Sequence, residues 1–201
     1  MNTLSKHAVT AVILAGGKGR RMQCKDKGLV ELADMPLIEH VIAAIKPQVK
    51  IIIINANRNQ QQYSHYGYQV ISDTLDNYQG PLAGFFSAMK EATTSHIVTL
   101  PCDGPLIAGD LVERLIFASN EENAEIAVAH DGDRMQPVYS LIPVTLTESL
   151  GDFLDSGERK IDLWYKQHRV ALADFSDCPE TFRNINTVKE RDSLQNEGLL
   201  A

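Results

Sequence analysis

Two kinds of apolar pattern alternate over residues 9–120 of this 201-residue chain. Short runs rich in β-branched residues predict buried strands, and longer stretches with apolar residues three and four positions apart predict helices. Such alternation predicts an α/β fold with an open, mainly parallel Rossmann-like sheet and helices on both faces, because parallel strands are joined by right-handed helical crossovers. The predicted strands are 11–14, 50–54, 68–72 and 96–100, and the predicted helices are 36–45, 59–66, 80–92 and a stretch around 111–116.

The pattern changes beyond residue 124. Two strands there flank Asp131-Gly-Asp-Arg134, a sequence typical of a hairpin turn, so an antiparallel addition to the sheet is expected. Thr187 and Glu190 have the spacing of a capping box at the start of a last helix. A chain of this length suits one large domain, predicted for 1–201. The other predicted elements are strands at 125–130, 137–141 and 170–172 and helices at 145–154 and 160–168.

A glycine-rich, cationic turn follows the first predicted strand. Gly16, Gly17 and Gly19 let the backbone approach a ligand closely because they carry no Cβ, and successive N–H groups in such a turn form an anion site. Residues 18–27 contain five Lys or Arg and one Asp, a local charge of +4 in a chain whose net charge is −7. A polyphosphate ligand explains this concentration of charge better than a solvated surface loop does.

Two common phosphate-binding motifs do not fit this turn. A P-loop needs Ser or Thr after its Gly-Lys pair, but Gly19 stands there. The dinucleotide fingerprint needs a third glycine for close packing of helix on strand, and that position is Met22. The pattern that fits is Leu-Ala-Gly-Gly-x-x-x-Arg-Met over 14–22, followed by Asp26-Lys27. It resembles the loop of nucleotidyltransferases that move a nucleoside monophosphate from an NTP to a phosphate acceptor.

Polar residues follow several of the predicted parallel strands. Asn55, Asp73 and Asp103 stand at strand ends, as the cationic loop does, so they are expected along the ligand-binding edge of the sheet. Phosphoryl transfer from an NTP needs a divalent cation, and Mg²⁺ prefers one or two carboxylates with phosphate oxygens and water. Asp103, in a turn between Pro101 and Pro105, is the predicted Mg²⁺ ligand, and Asp73 is a predicted nucleotide contact.

Composition narrows the classes of function. The acidic balance argues against nucleic acid or a membrane surface as partner, and no apolar run reaches the ~20 residues of a membrane span. Residues 1–10 lack the apolar core of a signal peptide, so a cytoplasmic location is expected. Cys24, Cys102 and Cys178 indicate neither a disulfide framework nor a zinc cluster. The Asp131/Asp133 pair is interpreted as a solvated turn.

Taken together, the motifs resemble the molybdenum cofactor guanylyltransferases over nearly the whole chain, from Val12 to about Glu190. No single motif is specific to this family, because Leu-Ala-Gly-Gly also occurs in sugar-nucleotide pyrophosphorylases. The combination of the motifs in this order is much more specific. Gln23 and Cys24 depart from the family, which usually has glycines there. The motifs are Leu14-Ala-Gly-Gly17, Arg21-Met22, Asp26-Lys-Gly28, Asn55-Ala-Asn57, Gly80-Pro-Leu-Ala-Gly84, Pro101-Cys-Asp103 and Asn184-Ile-Asn-Thr187.

The resemblance implies an enzyme that transfers GMP from GTP to the terminal phosphate of molybdenum-molybdopterin and releases pyrophosphate. It implies a GTP-binding half over 9–120 and an acceptor-binding half over 124–190. Arg21, Lys27 and Asp103 are the implied catalytic residues, with Mg²⁺ on Asp103. The implied nucleotide contacts are Leu14, Ala15, Gly16, Gly17, Lys27, Asn55, Asp73, Gly80, Pro81, Leu82 and Asp103.

Other functions fit parts of the same pattern. The nearest is the same chemistry with another base or acceptor, as in a molybdopterin cytidylyltransferase or a sugar-phosphate nucleotidyltransferase. A non-catalytic nucleotide-binding module would not need Arg21, Lys27 and Asp103 together, and Met22 disfavours a dinucleotide-dependent oxidoreductase. Transient contacts with other molybdenum cofactor biosynthesis proteins and with recipient oxidoreductases are also expected.

Overall fold

The strands of a computed structural model, which describes residues 4–15, 26–75 and 80–198, follow the predicted alternation. Within those residues seven strands form one sheet in the order β5-β4-β1-β6-β8-β7-β9, and β2 pairs with β3 in a separate ribbon. The strands are β1 Val9–Leu14, β2 Glu31–Leu32, β3 Met35–Pro36, β4 Ile51–Asn55, β5 Gln69–Ile71, β6 His96–Pro101, β7 Ile126–His130, β8 Met135–Pro143 and β9 Val170–Asp174.

The sheet is mostly parallel. β1 pairs in parallel with β4 and with β6, and β4 pairs in parallel with β5. The carboxyl ends of these four strands therefore lie along one edge. β8 runs antiparallel to both of its neighbours, β6 and β7, and β9 is parallel to β7. The expected mainly parallel sheet with an antiparallel addition is confirmed.

Helices cover both faces of the sheet because its central strands are apolar on both sides. Ala11 and Ile13 of β1 belong to a core cluster that also holds buried residues of α1 and α4. Val12, which points the opposite way, lies in a second cluster with buried residues of α3, α5 and α6. The helices are α1 Leu37–Ile45, α2 Gln60–Ser64, α3 Pro81–Glu91, α4 Leu111–Glu121, α5 Thr147–Asp155, α6 Ile161–Tyr165 and α7 Val188–Glu197.

A short β-ribbon precedes α1, where the sequence suggested only the start of a helix. Ala33 and Asp34 have φ of 50° and 61°, the left-handed conformation of a tight hairpin turn, and they join β2 to β3. Asp34 therefore lies in the hairpin turn, outside α1. Pro36 is the residue before α1, as its fixed φ allows.

The last helix packs near the carboxyl edge of the sheet. The predicted capping box is confirmed: the Thr187 side chain accepts from the Glu190 N–H, and the Glu190 carboxylate accepts from the Thr187 N–H. Leu194 of α7 and Ile185 just before it are buried with Leu32 and Leu37. This small cluster fixes the segment 184–186 against the rest of the fold. Among the described residues, no helix has both the length and the apolar character to cross a membrane.

Candidate active site

Lys27 and Asp103 meet at the carboxyl edge of the sheet, although 76 residues separate them in sequence. The Lys27 ammonium Nζ lies 2.8 Å from Asp103 Oδ2, and the residue Asp103 is only 7% exposed. Lys27 Nζ also donates to Asn186 Oδ1 at 2.5 Å. Coulomb interactions are stronger where water is partly excluded, so the attraction between Lys27 and Asp103 is stronger here than between fully exposed charges.

The turn that carries Asp103 is fixed from two sides. Its main-chain carbonyl accepts from the Ile185 N–H at 2.8 Å, which ties the turn to the segment before α7. Gly104 follows, and a Cβ there would overlap the Tyr139 hydroxyl of β8. Tyr139 is 2% exposed, so the glycine is needed for this close approach. The main chain at Asp103 is therefore held by β8 and by the carboxyl-terminal segment together.

Cys102 lies directly before Asp103 and is buried. Burial raises the pKa of its thiol well above the usual value, and the carboxylates of Asp103 and Asp26 raise it further. The thiol is therefore neutral at physiological pH and is a poor nucleophile. Cys102 is therefore a structural neighbour of Asp103.

Asp73 is fixed by two asparagines from the end of β4. Asn55 Nδ2 donates to one carboxylate oxygen at 3.1 Å and Asn57 Nδ2 donates to the other at 2.6 Å. Asn57 Oδ1 in turn accepts from the Asp73 N–H at 2.8 Å. Asn55 is 2% exposed, so the network is anchored in the core. Both oxygens of Asp73 are thus oriented by protein donors.

The amino end of α3 packs tightly against the ends of β1 and β4. A Cβ on Gly84 would lie 2.6 Å from Asn55 Oδ1 and 2.8 Å from Leu14 Cδ2. The Ser87 hydroxyl accepts from the Thr74 N–H at 2.8 Å, which joins α3 to the segment after β5. Gly80, before the helix, has a φ of 87°, a conformation that suits only glycine. Three strand ends and the start of α3 therefore form one continuous surface.

The backbone of Leu14 and Ala15 continues the sheet beyond β1. The Ala15 N–H donates to the Asn55 carbonyl at 2.8 Å, and the Leu14 carbonyl accepts from the Cys102 N–H at 3.2 Å. The side chain of Leu82 is fully buried, whereas Gly80 and Pro81 are exposed. A ligand at this surface would meet main-chain groups of these residues more than their side chains.

The structure thus brings most of the predicted site residues to one edge of the sheet. Lys27 and Asp103 are in direct contact, and Leu14, Ala15, Asn55, Asp73 and the start of α3 form an adjoining surface. Gly16, Gly17 and Arg21 lie outside the described residues.

Asn57 and Asn186 were not predicted as site residues. The motifs Asn55-Ala-Asn57, at the end of β4, and Asn184-Ile-Asn186, which precedes α7, were the available signal. Asn186 reaches Lys27 across 159 residues of sequence, a proximity that local patterns do not reveal.

Other candidate cation sites are not supported. Asp131 accepts from the N–H groups of Asp133 and Arg134 and from the Gln136 side chain, as expected for an aspartate that stabilises its own turn. Within 4–15, 26–75 and 80–198, no three His, Cys, Asp or Glu side chains are grouped so that they could hold a metal ion. Asp103 is therefore a single carboxylate that would need ligands from a substrate.

Comparison with solved structures supports the same fold. The chain superposes on the molybdopterin-guanine dinucleotide biosynthesis protein A of Archaeoglobus fulgidus with a TM-score of 0.78 at 21% identity, covering 94% of this chain and 97% of that one. It superposes on a 4-diphosphocytidyl-2C-methyl-D-erythritol synthase from Anaerococcus prevotii with a TM-score of 0.74 at 10% identity, covering 96% of each. These likenesses concern the fold.

Sequence comparison is more specific. Residues 11–170 match the family model described as MobA-like NTP transferase domain. The chain is 53% identical over 186 residues to proteins named molybdenum cofactor guanylyltransferase from Shewanella sediminis and Shewanella pealeana. The match covers 92% of this chain and 95% and 93% of those proteins. The chain therefore belongs to the molybdenum cofactor guanylyltransferase family of MobA-like nucleotidyltransferases.

Proposed function

We propose that this protein transfers GMP from GTP to the terminal phosphate of molybdenum-molybdopterin, giving the molybdopterin guanine dinucleotide cofactor and pyrophosphate. The observation that carries the proposal is the Lys27–Asp103 pair at the carboxyl edge of a parallel sheet, where Lys27 follows the glycine-rich segment in the sequence. The edge where parallel strands end is where open α/β sheets bind ligands. Family membership supports guanine and molybdopterin as the two substrates.

Asp103 has the chemistry of a Mg²⁺ ligand. Nucleotidyltransferases of this type in general use a divalent metal ion, and Asp103 Oδ2 already pairs with a cation, the Lys27 ammonium. A single carboxylate suits Mg²⁺, which completes its shell with phosphate oxygens and water. When bound, Mg²⁺ would neutralise triphosphate charge and fix the geometry of the phosphates.

The cationic side chains would stabilise the charge that develops during transfer. The acceptor phosphate attacks the α-phosphorus of GTP, the bond to the bridging oxygen breaks, and negative charge grows on the departing pyrophosphate. Lys27, held by Asp103 and Asn186, would meet that charge, together with Arg21 of the glycine-rich loop. Because the acceptor is itself an anion, no covalent enzyme intermediate is needed. The rate would come from positioning and electrostatics.

The nucleotide would lie along the surface formed by β1, β4, β5 and α3. Leu14, Ala15, Gly16 and Gly17 would contact it through the main chain, as would Gly80, Pro81 and Leu82, since the Leu82 side chain is buried. Asn55 and Asp73 form an oriented polar network on the same surface.

One domain is proposed for the whole chain, with the GTP-binding half over 9–120 and the acceptor-binding half over 124–190. Binding of the two substrates by different halves is supported by the contacts of Lys27, which reaches Asp103 in the first half and Asn186 in the second. The two substrates would then meet at this lysine.

The test is acceptor-dependent pyrophosphate release from GTP and Mg²⁺ by the purified protein. Molybdenum-molybdopterin should stimulate release strongly, whereas a hexose 1-phosphate should not. Stimulation by the sugar phosphate alone would favour a sugar-phosphate nucleotidyltransferase. Binding of GTP without release under any acceptor would favour a non-catalytic module.

A further inference from the structure

Asp26, which directly precedes Lys27, is a buried carboxylate with no assigned part in the proposed reaction. The residue is 7% exposed, and burying an ionised carboxylate is costly unless donors surround it. Tyr63 Oη donates to Asp26 Oδ1 at 2.5 Å, and Asn59 Nδ2 donates to Oδ2 at 2.9 Å. The guanidinium Nε of Arg58 lies 3.4 Å from the same Oδ2.

These three partners come from one short stretch of chain. Arg58 and Asn59 lie between β4 and α2, and Tyr63 lies within α2. Tyr63 is completely buried, and burial raises the pKa of its hydroxyl, so it stays protonated and remains a donor. A fully buried aromatic ring has little freedom to move, which makes it a rigid support for the carboxylate.

Tyr63 also approaches the residue on the other side of Lys27. A Cβ on Gly28 would lie 2.6 Å from Tyr63 Oη and 3.3 Å from both Cβ and Sγ of Cys102. The Asp26 carboxylate and the Gly28 main chain, on either side of Lys27, therefore both lie against the Tyr63 hydroxyl. Cys102 immediately precedes Asp103, so the same packing sets the lysine backbone relative to its carboxylate partner.

We propose that Asp26 and Tyr63 are positioning residues, which hold the backbone at Lys27 so that its ammonium faces Asp103 and the reacting phosphates. The proposal rests on the catalytic part proposed for Lys27. Asn59, which donates to Asp26 Oδ2, and Arg58, which forms an ion pair with the same oxygen, complete the support. None of these residues is required to touch a substrate.

A positioning part and a merely structural part have different kinetic consequences. A displacement of about 1 Å in a catalytic group can lower the rate by about 10²-fold, whereas general loss of stability lowers the amount of folded enzyme. Loss of positioning therefore lowers kcat per folded molecule and leaves the KM for GTP nearly unchanged. Loss of stability alone lowers the Tm without changing either constant of the folded fraction.

The first experiment deletes one donor at a time. Tyr63→Phe removes the hydroxyl and keeps the ring, and Asn59→Gly removes the amide while tolerating the local φ of 52°. Both are expected to lower kcat for pyrophosphate release about 10-fold or more, with the KM for GTP changed less than about 3-fold. Two variants are used so that, if one of them does not fold, the other still tests the proposal.

Thr10→Val is the matched control. It also deletes a fully buried hydroxyl, one whose Oγ1 lies 2.8 Å from Thr94 Oγ1, but at the amino end of β1, away from the site. It should lower the Tm and leave kcat unchanged. Loss of kcat in Tyr63→Phe beyond that in Thr10→Val would support the proposal.

A double-mutant cycle tests whether Tyr63 acts through Asp26. Tyr63→Phe should lower kcat strongly in the parent but less than about 2-fold in an Asp26→Asn background, because the shared interaction has already been weakened. Additive losses, or parental kcat in both Tyr63→Phe and Asn59→Gly, would overturn the inference. Lys27→Ala separates the positioning proposal from the proposed function. If Lys27→Ala is inactive while Tyr63→Phe and Asn59→Gly are both fully active, only the positioning is refuted. If Lys27→Ala is fully active, the catalytic part of the lysine is refuted as well.

Discussion

The ion pair between Lys27 and Asp103 leaves each charge dependent on the other, because Asp103 is almost fully buried. Removing one member of such a pair leaves the charge of the other buried without an opposite charge beside it, which destabilises the fold. The two residues nevertheless have different proposed parts: the carboxylate would hold Mg²⁺, and the ammonium would stabilise the leaving group. Substitutions at the two positions should therefore differ in their kinetic effects.

Asp103→Ala should lower turnover by about 10²–10³-fold, the usual loss when an electrostatic stabiliser is removed. Turnover is measured at saturating Mg²⁺ and GTP, with a thermal melt to show that the variant folds. Asp133→Ala, which removes an exposed carboxylate from the β7–β8 turn, is the control and should behave like the parent. Full activity of Asp103→Ala would place the metal elsewhere, with Asp73 as the next candidate.

Lys27→Ala and Arg21→Ala should lower kcat more than they weaken GTP binding. Charge on the pyrophosphate grows only as the bond breaks, so the cations contribute most in the transition state. The Kd for GTP from calorimetry is compared with kcat from pyrophosphate release. If kcat were unchanged and only the Kd rose, these side chains would merely anchor the nucleotide.

Residue type and strand-end position allowed Asp103 to be predicted from sequence, and the family resemblance implied Lys27. The direct contact between Lys27 and Asp103 could not be predicted, because it depends on the pairing of β1 with β6 in the sheet. Asn186 was missed for the same reason, since it reaches the lysine from the far end of the chain. Local patterns identify chemical groups, and tertiary packing decides which of them meet.

At the scale of elements, the amino end of α3 is fixed by its close approach to β1 and β4. Gly84→Ala should destabilise the fold by about 1–3 kcal/mol, because its Cβ would collide with Asn55 and Leu14. The shifted helix should also raise the KM for GTP. Gly109→Ala is the control, because a Cβ there meets nothing within 4 Å. Equal Tm and KM in the two variants would show that the close packing has no effect on stability or the nucleotide surface.

The same strand–helix surface should select guanine. Guanine presents N1–H and a 2-amino group as donors, which carbonyl oxygens near Leu14–Gly16 and Gly80–Leu82 could accept. A buried acceptor facing adenine would remain unpaired, and such sites can reject the wrong substrate by up to about 10⁴-fold. We expect kcat/KM to fall in the order GTP, ITP, ATP at one Mg²⁺ concentration. A value for CTP equal to or above that for GTP would contradict the guanine assignment.

The strands predicted from β-branched runs agree with the structure within a few residues, because a buried parallel strand needs apolar side chains on both faces. β2 and β3 were missed because two-residue strands leave no periodic pattern. The hairpin of β7 and β8 was predicted, but its placement was not: β8 lies between β6 and β7 in the sheet. Sequence alternation gives the type of an element, and long-range pairing gives its position.

At the scale of the whole molecule, the seven-stranded sheet carries the antiparallel insertion beside the parallel strands that end at the site. Tyr139 of β8 supports the turn of Asp103, and the segment before α7 binds both Asp103 and Lys27. The second half of the chain thus helps to hold the proposed catalytic residues in place. A reaction that joins two substrates fits this arrangement.

In the proposed reaction the α-phosphate of GTP, with its nucleoside, is joined to molybdopterin. The most direct measurement follows radioactive phosphorus from [α-³²P]GTP and [γ-³²P]GTP in parallel reactions with Mg²⁺ and molybdenum-molybdopterin. We expect the α label in a molybdopterin dinucleotide and the γ label in pyrophosphate, in equal amounts, and neither product should form at the parental rate with Asp103→Ala. Release of the γ label as inorganic phosphate, or an α label that never joins molybdopterin, would contradict the proposed reaction.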